Sequence, residues 1–93
     1  MRPWLPAYQP QLHDKVTLEN CAGACDVLKL QLAGIEAGNH CWCGPSVSGV
    51  PVARDLPAAE CQVDRCHGDT AELCGGGGRM LVYGYACVPP AIA

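Results

Sequence analysis

Residues 40–44 read HCWCG: two cysteines with a tryptophan between them, closed by a glycine. In an extended strand alternate side chains share a face, so Cys41 and Cys43 point one way and Trp42 the other, with the two cysteines about 6.5 Å apart. Sixteen residues upstream Cys25 closes the pair Cys21/Cys25, which the surrounding pattern places on a helix. Thr17 can cap that helix through its hydroxyl, and Leu18, Cys21, Ala22, Cys25, Leu28 and Leu32 then recur at helical spacing. The periodicity predicts a helix that continues to Leu32 and ends before Gly34. Four residues apart on a helix, Cys21 and Cys25 share a face and lie about 6 Å apart along the axis. The two offsets match, so a helix laid across the strand can be bolted to it by two neighbouring disulfides without strain in either element.

Trp42 must then face away from the helix. Either it is an exposed binding platform, or the proline-rich arm or loop covers it; Tyr8 and the prolines suit that task.

The rest of the composition agrees with a cross-linked scaffold. The chain has 93 residues, of which Leu, Ile, Val and Phe supply only 19, and eight are cysteine. A core this thin gives marginal stability at this size. The cysteine density marks a disulfide framework and an oxidising, secreted setting. Three prolines within the first ten residues leave no room for an apolar signal core, so a signal peptide, if one existed, is expected to have been removed. No apolar run approaches the length of a membrane span. The formal net charge of −3 comes without a basic patch, which argues against nucleic acid as a partner.

Residues 1–15 lack periodicity and read as an extended arm. The segments around the Gly38-Asn39 turn read as one or two short strands. Residues 45–60 hold three prolines and a glycine, which predicts a long loop pinned at Cys61. HGDTAEL, enclosed by Cys66 and Cys74, reads as a tight polar loop, and RMLVYGYACV as one strand. Zinc is the competing use of the cysteines, with His40 and His67 nearby, but C-x3-C and C-x-C fit the usual zinc spacings poorly.

In order along the chain, VTLENCAGAC, AGIEAGNHCWCG and CQVDRCHGDTAELCGGGGRMLVY resemble the WSC domain, a cysteine-rich module named from fungal cell-wall integrity sensors. The resemblance runs from about Val16 to Tyr83. It implies a single domain over 1–93 with its core at 16–88. The implied fold class is α+β: a small disulfide-rich domain in which one helix crosses an antiparallel sheet, PAN/apple-like. It also implies the pairings Cys21 to Cys41, Cys25 to Cys43 and Cys66 to Cys74. The family's usual first-strand cysteine is absent here and Cys87 is additional. Either Cys61 pairs with Cys87 in replacement, or Cys87 opens a further module and both thiols are free.

The function implied is non-catalytic binding of a cell-wall polysaccharide of the β-1,3-glucan or xylan type, in a secreted or cell-surface setting. Aromatic faces cover the apolar side of a sugar ring, while amide, carboxylate and imidazole groups hold its hydroxyls. Trp42 is the first candidate, with Asn39, His40 and Glu36 as polar neighbours and Trp4, Tyr8, Tyr83 and Tyr85 as further aromatic groups. Tyr83 and Tyr85 could equally be packing residues of one strand face. Recognition of a protein, or self-association, is the alternative partner class. Enzymatic motifs are missing: there is no G-x-S-x-G or H-E-x-x-H, and CGGGGR lacks the lysine and hydroxyl of a phosphate loop. Asp64, His67, Asp69 and Glu72 gather in the Cys66–Cys74 region, where a solvated loop is the simplest reading. No cofactor or metal is called for.

Overall fold

Thr17 begins the helix as its chemistry suggests. Its Oγ1 accepts the Asn20 N–H at 2.9 Å, and Asn20 Oδ1 accepts the Thr17 N–H at 2.8 Å, a reciprocal capping box with asparagine in the third helical position. Glu72 Oε1 takes the free N–H of Leu18 at 3.2 Å. The helix, α1, spans Leu18–Val27. This is a computed structural model, and it describes residues 2–3, 5–45, 56–82, 86–89 and 91–92.

The helix stops short of the Leu32 that periodicity predicts. Lys29 adopts φ 62°, its N–H bonds the Asp26 carbonyl at 2.9 Å, and the Leu30 N–H bonds the Cys25 carbonyl at 3.0 Å. That pair of bonds is a Schellman ending, closed here by a lysine where glycine is usual. Leu32 belongs to the next strand, β3 (Leu32–Glu36), which turns through Ala37 and Gly38, both at positive φ, into β4 (His40–Gly44).

The strands β3 and β4 form the centre of a five-stranded antiparallel sheet. Ala7–Tyr8, the strand β2, lies along β4, with Ala7 opposite Cys43 and Tyr8 opposite Trp42. On the other side, Met80–Val82 (β7) pairs with β3, and Ala86–Val88 (β8) pairs with β7. The order is β2-β4-β3-β7-β8. Two further pairs stand apart: Arg2–Pro3 (β1) with Ala91–Ile92 (β9), and Arg65–Cys66 (β5) with Asp69–Leu73 (β6).

Several readings change accordingly. The segment 1–15 is not a free arm, because Ala7–Tyr8 enter the sheet and the Leu5 side chain is 1% exposed in the core. A two-residue strand is too short to leave a periodic trace. HGDTAEL is not a plain loop but carries β6. RMLVYGYACV supplies two paired strands, Tyr83 and Tyr85 falling outside the described residues. Of the loop expected over 45–60, residues 46–55 lie outside them too, and Ala58–Cys61 form a 3-10 turn.

All eight cysteines are oxidised: Cys21–Cys41, Cys25–Cys43, Cys61–Cys87 and Cys66–Cys74. None is left as the thiolate that a zinc site needs. The first two bonds hold α1 against β4. On that face Val16, Ala33 and Ile35 pack with six of the half-cystines, Cys21, Cys25, Cys41, Cys43, Cys66 and Cys74. Sulfur thus supplies much of a core that the composition leaves short of aliphatic residues. The opposite face carries a second cluster of Leu5, Leu32, Met80, Val82 and Val88, with Trp42 packed against it. Leu5 sits where side chains at Gly34 and Gly44 would otherwise be, so the glycines flanking Trp42 in space leave room for it.

Candidate functional site

Strand alternation positions the site. Cys41 and Cys43 turn to the helix, so His40 and Trp42 turn to the opposite face, where the cross-strand neighbours of Trp42 are Tyr8 on β2 and Gly34 on β3. The indole is half-buried. Its inner side rests on the Leu5 cluster, and the Tyr8 ring lies beside it with centroids 4.8 Å apart and planes tilted by 43°. Trp42 is thus neither a free platform nor wholly covered.

Tyr8 also reaches His40, at 5.8 Å between ring centroids, and His13 reaches His40 from the other side at 5.3 Å. Asn39 Nδ2 stands 3.4 Å from His13 Nε2. On the other side of the ring, His13 Nδ1 lies 3.2 Å from Asp14 Oδ2. The other oxygen of Asp14 meets His67 Nδ1, also at 3.2 Å. The three histidines of the chain, from three separate segments, therefore meet along one strip of surface. Gly68 N–H donating to the Val16 carbonyl at 2.8 Å, and His67 N–H donating to the Gly38 carbonyl at 3.0 Å, dock the β5–β6 ribbon there.

Among the described residues, three side-chain atoms of this strip are buried without a hydrogen-bond partner: Asn39 Oδ1, His40 Nδ1 and Trp42 Nε1. Buried polar atoms are nearly always paired, because leaving one unpaired costs about 1–3 kcal/mol. Here the three lie on one hairpin next to two aromatic rings. One is an acceptor, one a donor, and the imidazole nitrogen can be either.

Of the residues singled out in the sequence, Trp42, Tyr8, His40 and Asn39 come together. Glu36 is the cross-strand partner of His40 at the end of the hairpin and is half-buried. Trp4, Tyr83 and Tyr85 lie outside the described residues. His13 and Asp14 were not anticipated, since nothing local in the sequence distinguishes them from a polar turn. The acidic group around Cys66 is dispersed: Glu72 caps α1, Asp69 Oδ1 accepts the Ala71 N–H at 3.0 Å, and Asp64 and His67 line an open pocket. Two of the four groups are spent on the backbone, and His67 pairs instead with Asp14.

Among the described residues no helix is long and apolar enough to cross a membrane. The WSC domain family model matches residues 4–76, a range that contains the whole strip from Tyr8 to His67 and stops short of β7 and β8. Over 69 residues the chain is 44% identical to Kremen protein 2 of Homo sapiens and 42% identical to that of Mus musculus, covering 74% of this chain and 14% of each relative. A WSC domain-containing protein of Arthroderma benhamiae is 33% identical over 70 residues, 75% of this chain and 9% of that protein. The chain therefore spans only a small part of the length of the curated relatives it matches. With the family model covering most of its length, the chain belongs to the WSC domain family.

Proposed function

We propose that the domain is a non-catalytic, extracellular carbohydrate-binding module that holds a cell-wall type polysaccharide, of the β-1,3-glucan or xylan class, on the outer face of its sheet. The observation that carries the reading is the set of unpartnered polar atoms on Asn39, His40 and Trp42, next to the rings of Tyr8 and Trp42. A sugar brings both halves of what this face lacks: hydroxyls that donate and accept, and a C–H face that packs on aromatic carbon. A single module would bind weakly, with useful retention arising from many copies on an insoluble polymer.

The test is depletion of the oxidised domain by insoluble β-1,3-glucan, xylan, chitin and cellulose, with Trp42→Ala alongside. Retention by β-1,3-glucan or xylan that the variant loses supports the reading. Failure to bind any of the four overturns it.

A second reading, recognition of a protein, is favoured by one comparison. The identity to Kremen protein 2 of human and mouse, 44% and 42%, is higher than the 33% to the fungal protein, and animal cells carry no polysaccharide wall. For this purpose the chain offers Val27 and Leu28, 80% and 48% exposed at the end of α1.

A further inference from the structure

Resting on the glycan reading above, we infer that the binding face continues past His40 into a second subsite at the β5–β6 ribbon, and that the ligand is the interior of a neutral glycan chain. A terminal sugar would leave that subsite idle.

The groups form a row. Tyr8 touches Trp42 and His40, His40 meets His13, His13 meets Asp14, and Asp14 meets His67, each step between 3.2 and 5.8 Å. The row runs backward along β4. Trp42 and His40, two residues apart, are separated by about 7 Å of strand. His67 lies further on, beyond the Gly38 turn to which its own N–H is bonded. A single sugar ring placed against Trp42 cannot reach His67.

At that far end is a pocket of about 460 Å³ lined by Asp14, Asp64, Arg65, His67 and Thr70, among others. Its volume is in the range of small-ligand sites, about 300–1,000 Å³. Its charges decide what it takes. Two carboxylates repel an anionic ligand such as a uronate or a sulfated sugar. The Arg65 guanidinium, held over the ribbon by donating to the Thr70 carbonyl at 2.9 Å, opposes a bare cation. A neutral polyol meets neither penalty, and carboxylates and guanidinium are the usual acceptors and donors for its hydroxyls. The His13–Asp14–His67 bridge joins this pocket to the aromatic end, so one chain can occupy both.

The experiment is an NMR titration of the ¹⁵N-labelled oxidised domain with disaccharides and hexasaccharides of β-1,3-linked glucose and of β-1,4-linked xylose, and with a hexamer of galacturonate. One neutral hexasaccharide is expected to bind about tenfold more tightly than its disaccharide. It should move the amides of residues 64–70 as well as those of 40–44. In His67→Ala and in Asp64→Asn, both folded by their spectra, that advantage of length should fall away. The galacturonate should bind more weakly than the neutral hexamer. Equal affinity for short and long neutral chains, or shifts confined to 40–44, would refute the second subsite while leaving the glycan reading standing. Galacturonate binding as tightly as the neutral chain would refute the charge argument. Failure of every sugar to bind would remove the glycan reading and the subsite with it.

Discussion

Tyr8 and Trp42 are direct cross-strand partners, and their rings meet at 4.8 Å on the face of the sheet that α1 does not cover. A two-residue strand from the N-terminal segment thus completes an aromatic surface that β4 alone would leave as a single indole. Such a pair is worth about 0.5–1.5 kcal/mol beyond the area it buries. Tyr8 also orders His40 beside it, which ties the packing of the edge strand to the polar end of the site.

Replacing Trp42 by phenylalanine separates packing from recognition. The phenyl ring keeps packing against the Leu5 cluster and Tyr8 and removes a buried N–H that has no partner among the described residues. Relief of that unpaired group, about 1 kcal/mol, offsets the void left by the smaller ring. Thermal unfolding is expected to change by less than about 1 kcal/mol, while retention by the polymer falls. A Trp42→Phe domain that binds as well as the parent would show that the indole N–H serves no ligand.

The Schellman ending predicts a gain of stability. Lys29 is exposed and holds φ 62°, a conformation that costs an L-residue about 1 kcal/mol and glycine almost nothing. Lys29→Gly should stabilise the domain by about 0.5–1 kcal/mol and raise the melting midpoint by about 4 °C. A lowered midpoint would mean that the lysine side chain contributes more than its backbone costs.

What was legible in the sequence and what was not divides along physical lines. The β3–β4 hairpin was readable because its turn needs Gly38 and because C-x-C leaves no doubt about which faces alternate. Trp42, His40, Asn39 and Glu36 were readable as neighbours for the same reason, being adjacent on that hairpin. The end of α1 was not, because leucines at 28 and 32 continue a helical pattern while the lysine at the left-handed position gives no signal. The strand at Ala7–Tyr8 was hidden because two residues show no period. His13 was hidden because its partner Asn39 lies 26 residues away, a contact made by tertiary packing alone.

Gly38 predicts a loss. It adopts φ 78°, and a side chain there would run into the Arg65 carbonyl, the point at which the β5–β6 ribbon approaches the hairpin. Gly38→Ala should cost about 2–3 kcal/mol, from the left-handed backbone and from the forced separation. The His67 amide, bonded to the Gly38 carbonyl, should exchange with solvent faster than in the parent. An unchanged midpoint with undiminished His67 protection would contradict the close approach.

The Cys61–Cys87 bond closes 26 residues and anchors the sheet edge that the family model does not cover. Loop-closure entropy for that length corresponds to about 3.5 kcal/mol. The strand it ties down, β8, has three residues and hydrogen-bonds within the sheet to β7 alone, yet it brings Val88 into the cluster under Trp42. On the other face, Cys21–Cys41 and Cys25–Cys43 hold α1 to β4 independently. In a Cys61→Ser/Cys87→Ser variant the domain should lose about 3 kcal/mol, and the loss should be uneven. Hydrogen exchange is expected to speed up first at Met80–Val82 and Ala86–Val88, while the amides of α1 and β4 keep most of their protection. The aromatic strip should then loosen from beneath, so polymer retention should drop in a variant whose helix is intact. Uniform loss of protection across both faces would instead mean that the two clusters unfold as one unit, with the sulfur-rich face unable to stand without the aliphatic one.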